Sequence, residues 1–147
     1  MKYLSTRDKT LHLSAAEAIK MGLSRDGGLF TPERFPSLTE EEIRSLCPMT
    51  YQQRAALVMG KFLDDFTAEE LESFAASAYS EEKFDTPAVA PLRQVGGSTW
   101  CLELWHGPTS AFKDMALQML PLLLSASLRK TGEDKTACIL VATSGDT

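Results

Sequence analysis

Most of the sequence signals that announce a function are missing from this chain. There is no Gly-x-Gly-x-x-Gly run and no Gly-Lys-Ser/Thr loop, which excludes the common dinucleotide and nucleoside-triphosphate cradles. No Gly-x-Ser-x-Gly elbow surrounds Ser144, so a serine-hydrolase nucleophile is not expected there. Histidine is scarce. His12 and His106 are isolated from the cysteines as regards zinc-like spacing, and no metal site is expected. Cys47, Cys101 and Cys138 are odd in number and widely separated, which fits free thiols in a reducing compartment. No apolar run opens the chain, so nothing in MKYLSTRDKT reads as a secretory leader. The longest greasy stretch, Met115 to Leu128, is broken by Gln118 and Pro121 and is too short and polar to span a bilayer. Basic residues are in deficit, with 15 Lys and Arg against 20 Asp and Glu, a net charge of −5. That deficit argues against nucleic acid or an anionic membrane as partner. The expectation is an acidic, soluble, cytoplasmic protein.

What is present is an ordinary globular composition of 147 residues, 44% hydrophobic and 24% charged, enough to bury a core. Its charge is unevenly spread. Residues 1–90 hold ten of the fifteen basic and fifteen of the twenty acidic side chains, so all of the net charge lies there. This acidic part reads as short amphipathic helices with legible starts. Ser14 with Glu17, Thr39 with Glu42, Thr50 with Gln53 and Thr67 with Glu70 each fit a capping box. Gly22 fits a helix stop, and Pro48 separates the second helix from the third. Between the first two helices, Arg25-Asp26-Gly27-Gly28 predicts a tight turn into a short extended piece.

Thr86 to Pro91 marks the next boundary. A Gly96-Gly97-Ser98 turn then leads into a predicted strand, Trp100 to Trp105. Residues from about Ser110 to Arg129 predict helix, subdivided or kinked at Pro121. Thr136 to Ala142 is an almost continuous apolar run, the pattern of a strand buried on both faces of a parallel sheet. Strand, helix and strand make a βαβ unit, so the expected class is α/β with a helical N-terminal part. The chain ends just after this second strand, and one βαβ unit cannot cover both faces of its sheet. The expectation is the amino-terminal part of a longer protein, whose uncovered faces would promote self-association of this piece.

Two stretches could carry chemistry. In His106-Gly107-Pro108-Thr109-Ser110-Ala111-Phe112-Lys113-Asp114, a lysine stands near a helix start, at the sheet edge where α/β proteins place ligands. The positive end of the helix dipole and the apolar Phe112 would both favour the neutral amine that Schiff-base chemistry requires. The plainer alternative is a lysine packed along the helix, its ammonium paired with Asp114 or solvent. Thr143-Ser144-Gly145-Asp146-Thr147 offers hydroxyls and backbone N–H groups suited to an anionic substrate group. Its plainer alternative is a loop with a helix cap.

The run from Leu102 to Asp114 resembles the lysine motif of the threonine synthase family. These are pyridoxal-phosphate enzymes of the tryptophan-synthase-β, or fold type II, superfamily. Tyr3-Leu4-Ser5-Thr6-Arg7, Asp26-Gly27-Gly28-Leu29-Phe30 and Ala142 to Thr147 follow in that family's order, and the resemblance covers essentially the whole chain. Two departures are Asp8-Lys9 after Arg7, where the family commonly has Gly, and Pro121 after the lysine.

The resemblance implies a truncated fold type II protein. Residues 1–85 would be the helical N-terminal domain, and 86–147 the start of the parallel-sheet catalytic domain. It implies that Lys113 holds pyridoxal 5'-phosphate as a Schiff base and exchanges protons. Thr143, Ser144, Gly145 and Thr147 would hold the substrate α-carboxylate, and Asp146, where the superfamily has Asn, would face the cofactor's ring hydroxyl. The implied reaction converts O-phospho-L-homoserine and water to L-threonine and phosphate, with the fragment inactive by itself. Two alternatives stay open: a related phospho-lyase releasing a 2-oxo acid, and a non-catalytic helical interaction module.

Overall fold

The computed structural model describes residues 1–143 and Gly145. It begins with a small antiparallel sheet. Strand β1 (Tyr3–Ser5) lies in the middle, flanked by β2 (His12–Leu13) and β3 (Phe30–Pro32). Tyr3 pairs with Leu13 on one side and Pro32 on the other. The sequence predicts only the β3 piece, because strands of two and three residues are too short to show alternation.

Four helices follow the caps. Helices α1 (Ala15–Met21), α2 (Glu40–Leu46), α3 (Tyr51–Gly60) and α4 (Ala68–Ala78) all begin with the expected reciprocal pair. In α4 the Glu70 N–H donates to the Thr67 hydroxyl at 3.2 Å, and the Thr67 N–H donates to the Glu70 carboxylate at 2.8 Å. Two otherwise orphaned donors are thus satisfied at each start. Gly22 ends α1 at φ +70°, a conformation that suits glycine, and its N–H closes on the Ala18 carbonyl.

The core forms where small residues let helices approach. Ala56 of α3, Leu71, Ala75 and Ala78 of α4, and Ala15 and Ala16 of α1 are buried together with Leu63, Phe66, Tyr79 and Phe84. Leu71 is 1% exposed. Val89, Met119 and Ala126 join the same cluster, so the core runs on into the second half of the chain. By contrast, α2 buries none of its residues and is held by ion pairing between Glu42 and Lys61.

Strands β4 (Leu92–Gly96) and β5 (Thr99–Leu102) form an antiparallel hairpin across the expected glycine turn. The predicted strand at Trp100–Trp105 is therefore shorter and starts earlier. After Leu102 its ladder gives way to one hydrogen bond, from the Glu103 N–H to the Pro91 carbonyl at 3.0 Å. The expected helix appears as two, α5 (Asp114–Leu117) and α6 (Leu120–Lys130), with Pro121 in the first turn of α6. Proline is tolerated there because its missing N–H would have had no helical partner.

The sheet pairings differ from expectation. Among the described residues every one is antiparallel, and no parallel βαβ sheet is formed. Residues 136–142 form no strand and lie exposed, with Leu140 at 92%. A strand buried on both faces exists only against neighbouring strands, and among the described residues none lies alongside this run. No helix of the described residues is long and apolar enough to cross a membrane.

Candidate functional site

The stretch from His106 to Asp114 is a chain of turns leading into α5. Ser110 N–H donates to the Gly107 carbonyl at 3.1 Å, and Asp114 N–H to the Ala111 carbonyl at 3.0 Å. Ser110 takes φ +59°, an uncommon conformation for a residue with a side chain. One carboxylate holds the turn in shape. Asp114 is 1% exposed and accepts from the Thr109 N–H at 2.8 Å and the Thr109 hydroxyl at 3.0 Å. Gly107 is required by the same contact, since a Cβ on it would stand 2.6 Å from the Asp114 side chain.

Lys113 sits at the cap position of α5 and is half-buried. Its Nζ lies 5.5 Å from the centre of the Phe112 ring. Around it runs an apolar groove lined by Tyr51, Leu102, Leu104, Phe112 and Met115. The floor is fixed from below, because the Tyr79 hydroxyl donates to the Met115 carbonyl at 2.8 Å while its ring meets Tyr51 edge to face at 5.1 Å. Burial, with Tyr51 adding a smaller share, pushes the Tyr79 phenol up to about 12. Burial likewise raises Tyr51. Both phenols therefore stay neutral walls at physiological pH. Asp114, the carboxylate next to Lys113 in sequence, gives its oxygens to Thr109.

A second polar cluster, not expected from the sequence, anchors the front of the turn. The His106 Nδ1 lies 2.5 Å from Asp85 and its Nε2 lies 2.9 Å from Glu103. With an ionised carboxylate facing each ring nitrogen, the arrangement favours the doubly protonated imidazolium. The bonds to Glu103 and then to Asp85 raise its pKa above the ordinary histidine value. The Glu103–His106 spacing is a local signal that could have pointed to the pair; Asp85, 21 residues away, leaves none.

The two N-terminal motifs meet. Ser5, 1% exposed, donates to the Asp26 carboxylate at 2.9 Å, and the Gly28 N–H donates to the same group at 2.8 Å. Arg7 donates to the Asp26 carbonyl at 3.0 Å. A Cβ on Gly28 would stand 2.2 Å from the Ser5 hydroxyl, which explains why that position has no side chain. In the final loop, Gly145 N–H donates to the Thr143 hydroxyl at 2.9 Å, and both residues are exposed. Ser144, Asp146 and Thr147, expected to bind substrate or cofactor, lie outside the described residues.

Residues 2–79 match the family described as "Threonine synthase N terminus". The chain belongs to the threonine synthase family. Threonine synthase from Pseudomonas aeruginosa is 44% identical over 148 residues, covering the whole of this chain and 31% of that protein. Among solved structures, the pyridoxal-phosphate-bound threonine synthase from Brucella melitensis superposes with a TM-score of 0.82 at 39% identity. It covers 90% of this chain and 28% of that one. The Escherichia coli threonine synthase superposes at 0.81 with 33% identity, over 99% of this chain and 32% of that one. The chain thus spans about a third of the length of the curated relatives it matches.

Proposed function

We propose that this chain is the amino-terminal part of a threonine synthase that converts O-phospho-L-homoserine and water to L-threonine and phosphate, with Lys113 carrying pyridoxal phosphate. The observation that carries the reading is the presentation of Lys113. A primary amine stands in an apolar groove, at a helix start fixed by the Asp114–Thr109 clasp, on a chain whose relatives bear the threonine synthase name. That setting fits the cofactor, whose aldehyde needs one primary amine within reach. When bound, pyridoxal phosphate supplies the electron sink for loss of phosphate and addition of water.

The rest of the work falls to the chain. Lys113 holds the cofactor and moves protons at Nζ. Phe112 and Leu104 would give the cofactor an apolar wall beside it. Thr143, Ser144, Gly145 and Thr147 would bind the substrate carboxylate through hydroxyls and backbone N–H groups, and Asp146 stands in sequence where the superfamily has the Asn that serves the cofactor's ring hydroxyl. Residues 1–85 serve as the helical N-terminal domain and 86–147 as the beginning of a fold type II catalytic domain, in which 136–142 would enter a parallel sheet. The setting is the cytoplasm.

With about a third of its relatives' length, the 147-residue chain alone does not turn over substrate. The test is product analysis. A longer protein carrying this chain, given O-phospho-L-homoserine and the cofactor, yields threonine and phosphate; the isolated chain and a Lys113→Ala variant yield neither. A 2-oxo acid in place of threonine would establish the phospho-lyase alternative, and turnover by the isolated chain would overturn the claim of its inactivity.

A further inference from the structure

The turn that presents Lys113 is held at its front end by three bonds to residue 106. His106 meets Asp85 at 2.5 Å and Glu103 at 2.9 Å through its ring, and the Asp85 N–H donates to the His106 carbonyl at 3.1 Å. Directly behind this anchor comes a strained stretch, with Ser110 at φ +59°. The segment that supplies Asp85 is strained too, because Val89, 1% exposed, also takes φ +59°. A β-branched residue in that region persists only where its surroundings over-determine it. The His106–Asp85 pair, together with the Asp85 N–H to His106 carbonyl bond, ties these two segments to each other.

We propose that His106 is a positioning residue for Lys113, its imidazolium tying the start of the 107–113 turn to Asp85 and Glu103 so that loss of its proton loosens the turn. The proposal rests on the reading of Lys113 as the cofactor-bearing amine. Other groups face the ring from the elements packed around it. Arg93 of β4 approaches the Glu103 carboxylate at 3.8 Å and competes for the oxygen that His106 uses, and Trp105 stacks on the ring at 5.7 Å. Because the two carboxylates raise the His106 pKa, the tie is complete below the ordinary histidine value of about 6.5 and is lost as pH rises through the raised one.

The experiment follows the His106 ring by NMR titration of the full chain, with the signal assigned by its loss in His106→Gln. Amide exchange of residues 107–114 is measured over the same pH range and corrected for intrinsic exchange. In the wild type, exchange should accelerate roughly tenfold across an inflection that coincides with the ring titration. In Asp85→Asn the ring should titrate lower and the inflection should move with it. In His106→Gln the inflection should vanish.

Borohydride trapping of pyridoxal phosphate on Lys113, in the longer protein proposed above, should fall severalfold in His106→Gln and show the same pH dependence. If His106→Gln does not fold, Asp85→Asn carries the test, since it removes one exposed partner only. No inflection in the wild type, or an Asp85→Asn ring shift without a matching shift in exchange, would overturn the proposal. Equal trapping in wild type and variants across pH would also overturn it while leaving the Lys113 reading intact. Absence of trapping on Lys113 in every variant would overturn the Lys113 reading itself, and the assignment built on it.

Discussion

Asp114 reaches back to Thr109 and accepts both of its donors, the backbone N–H at 2.8 Å and the hydroxyl at 3.0 Å, from a position that is 1% exposed. The residue beside the candidate lysine is thus the peg around which the turn is wound. Removing it should be costly, because both bonds to Thr109 are lost and the buried space of the Asp114 side chain is left unfilled. Asp114→Ala is expected to destabilise by about 1–3 kcal/mol. Gly107→Ala is expected to cost a similar ~1–3 kcal/mol through overlap with the Asp114 side chain. Urea unfolding of both variants checks this, and Thr109→Ser, which keeps both donors, should fall close to the wild type.

The core offers a sharper contrast. Leu71 is 1% exposed, whereas Ile43 of α2 is 52% exposed. Leu71→Ala should cost about 2–5 kcal/mol, with the loss of contacts compounded by a cavity, and Ile43→Ala no more than about 0.5 kcal/mol. Equal losses in thermal unfolding would mean that α2 packs more tightly than its burial indicates.

Much of the helical part is legible in the sequence alone. A capping box is a local device, so Ser14/Glu17, Thr39/Glu42, Thr50/Gln53 and Thr67/Glu70 declare themselves within four residues. What stays hidden depends on distant partners. The pairing of Leu4 with Thr31 and the bond from His106 to Asp85 cannot be read from spacing. The Gly107, Thr109 and Asp114 clasp could have been found, because a Gly followed by a hydroxyl residue and then a buried Asp makes a compact turn. Residues 136–142 depart from expectation for a different reason. An apolar run says that burial is favourable, but the run does not supply the neighbouring strands against which a parallel strand forms.

Helix starts should respond individually. Thr67→Ala removes the acceptor for the Glu70 N–H and should cost about 1 kcal/mol, while Thr67→Ser should be almost silent. Thermal melts of the pair decide whether the hydroxyl or the methyl matters.

Acid should weaken the protein through its depressed carboxylates. The Gly28 N–H first, and then Ser5, Ser24 and Arg7, hold Asp26 below the ordinary value of 3.8. Lys130 first, with the Thr67 N–H, does the same for Glu70. A carboxylate depressed in the folded state contributes stability that is present above its unfolded pKa and lost as pH falls through the folded one. Through these carboxylates the urea midpoint should fall progressively below about pH 4, and through His106 it should also decline as pH rises above about 6.5. Asp26→Asn should lower the midpoint at neutral pH and flatten the acid slope. An unchanged slope would remove Asp26 from the account.

Exposed apolar side chains along the hairpin and the last segment, including Val95 at 65%, Trp100 at 56% and Leu140 at 92%, should make the isolated chain self-associate. Light scattering at rising concentration is expected to show growing mass. A clean monomer throughout would contradict this.

The central claim is that Lys113 is the amine that carries the cofactor. Its most direct test is borohydride reduction in the presence of pyridoxal phosphate, followed by peptide mass spectrometry, on the longer protein with the 147-residue chain run in parallel. Pyridoxyl mass is expected on the Lys113 peptide of the longer protein and none on the chain alone. Pyridoxyl mass on another lysine, with Lys113 unlabelled, would contradict it.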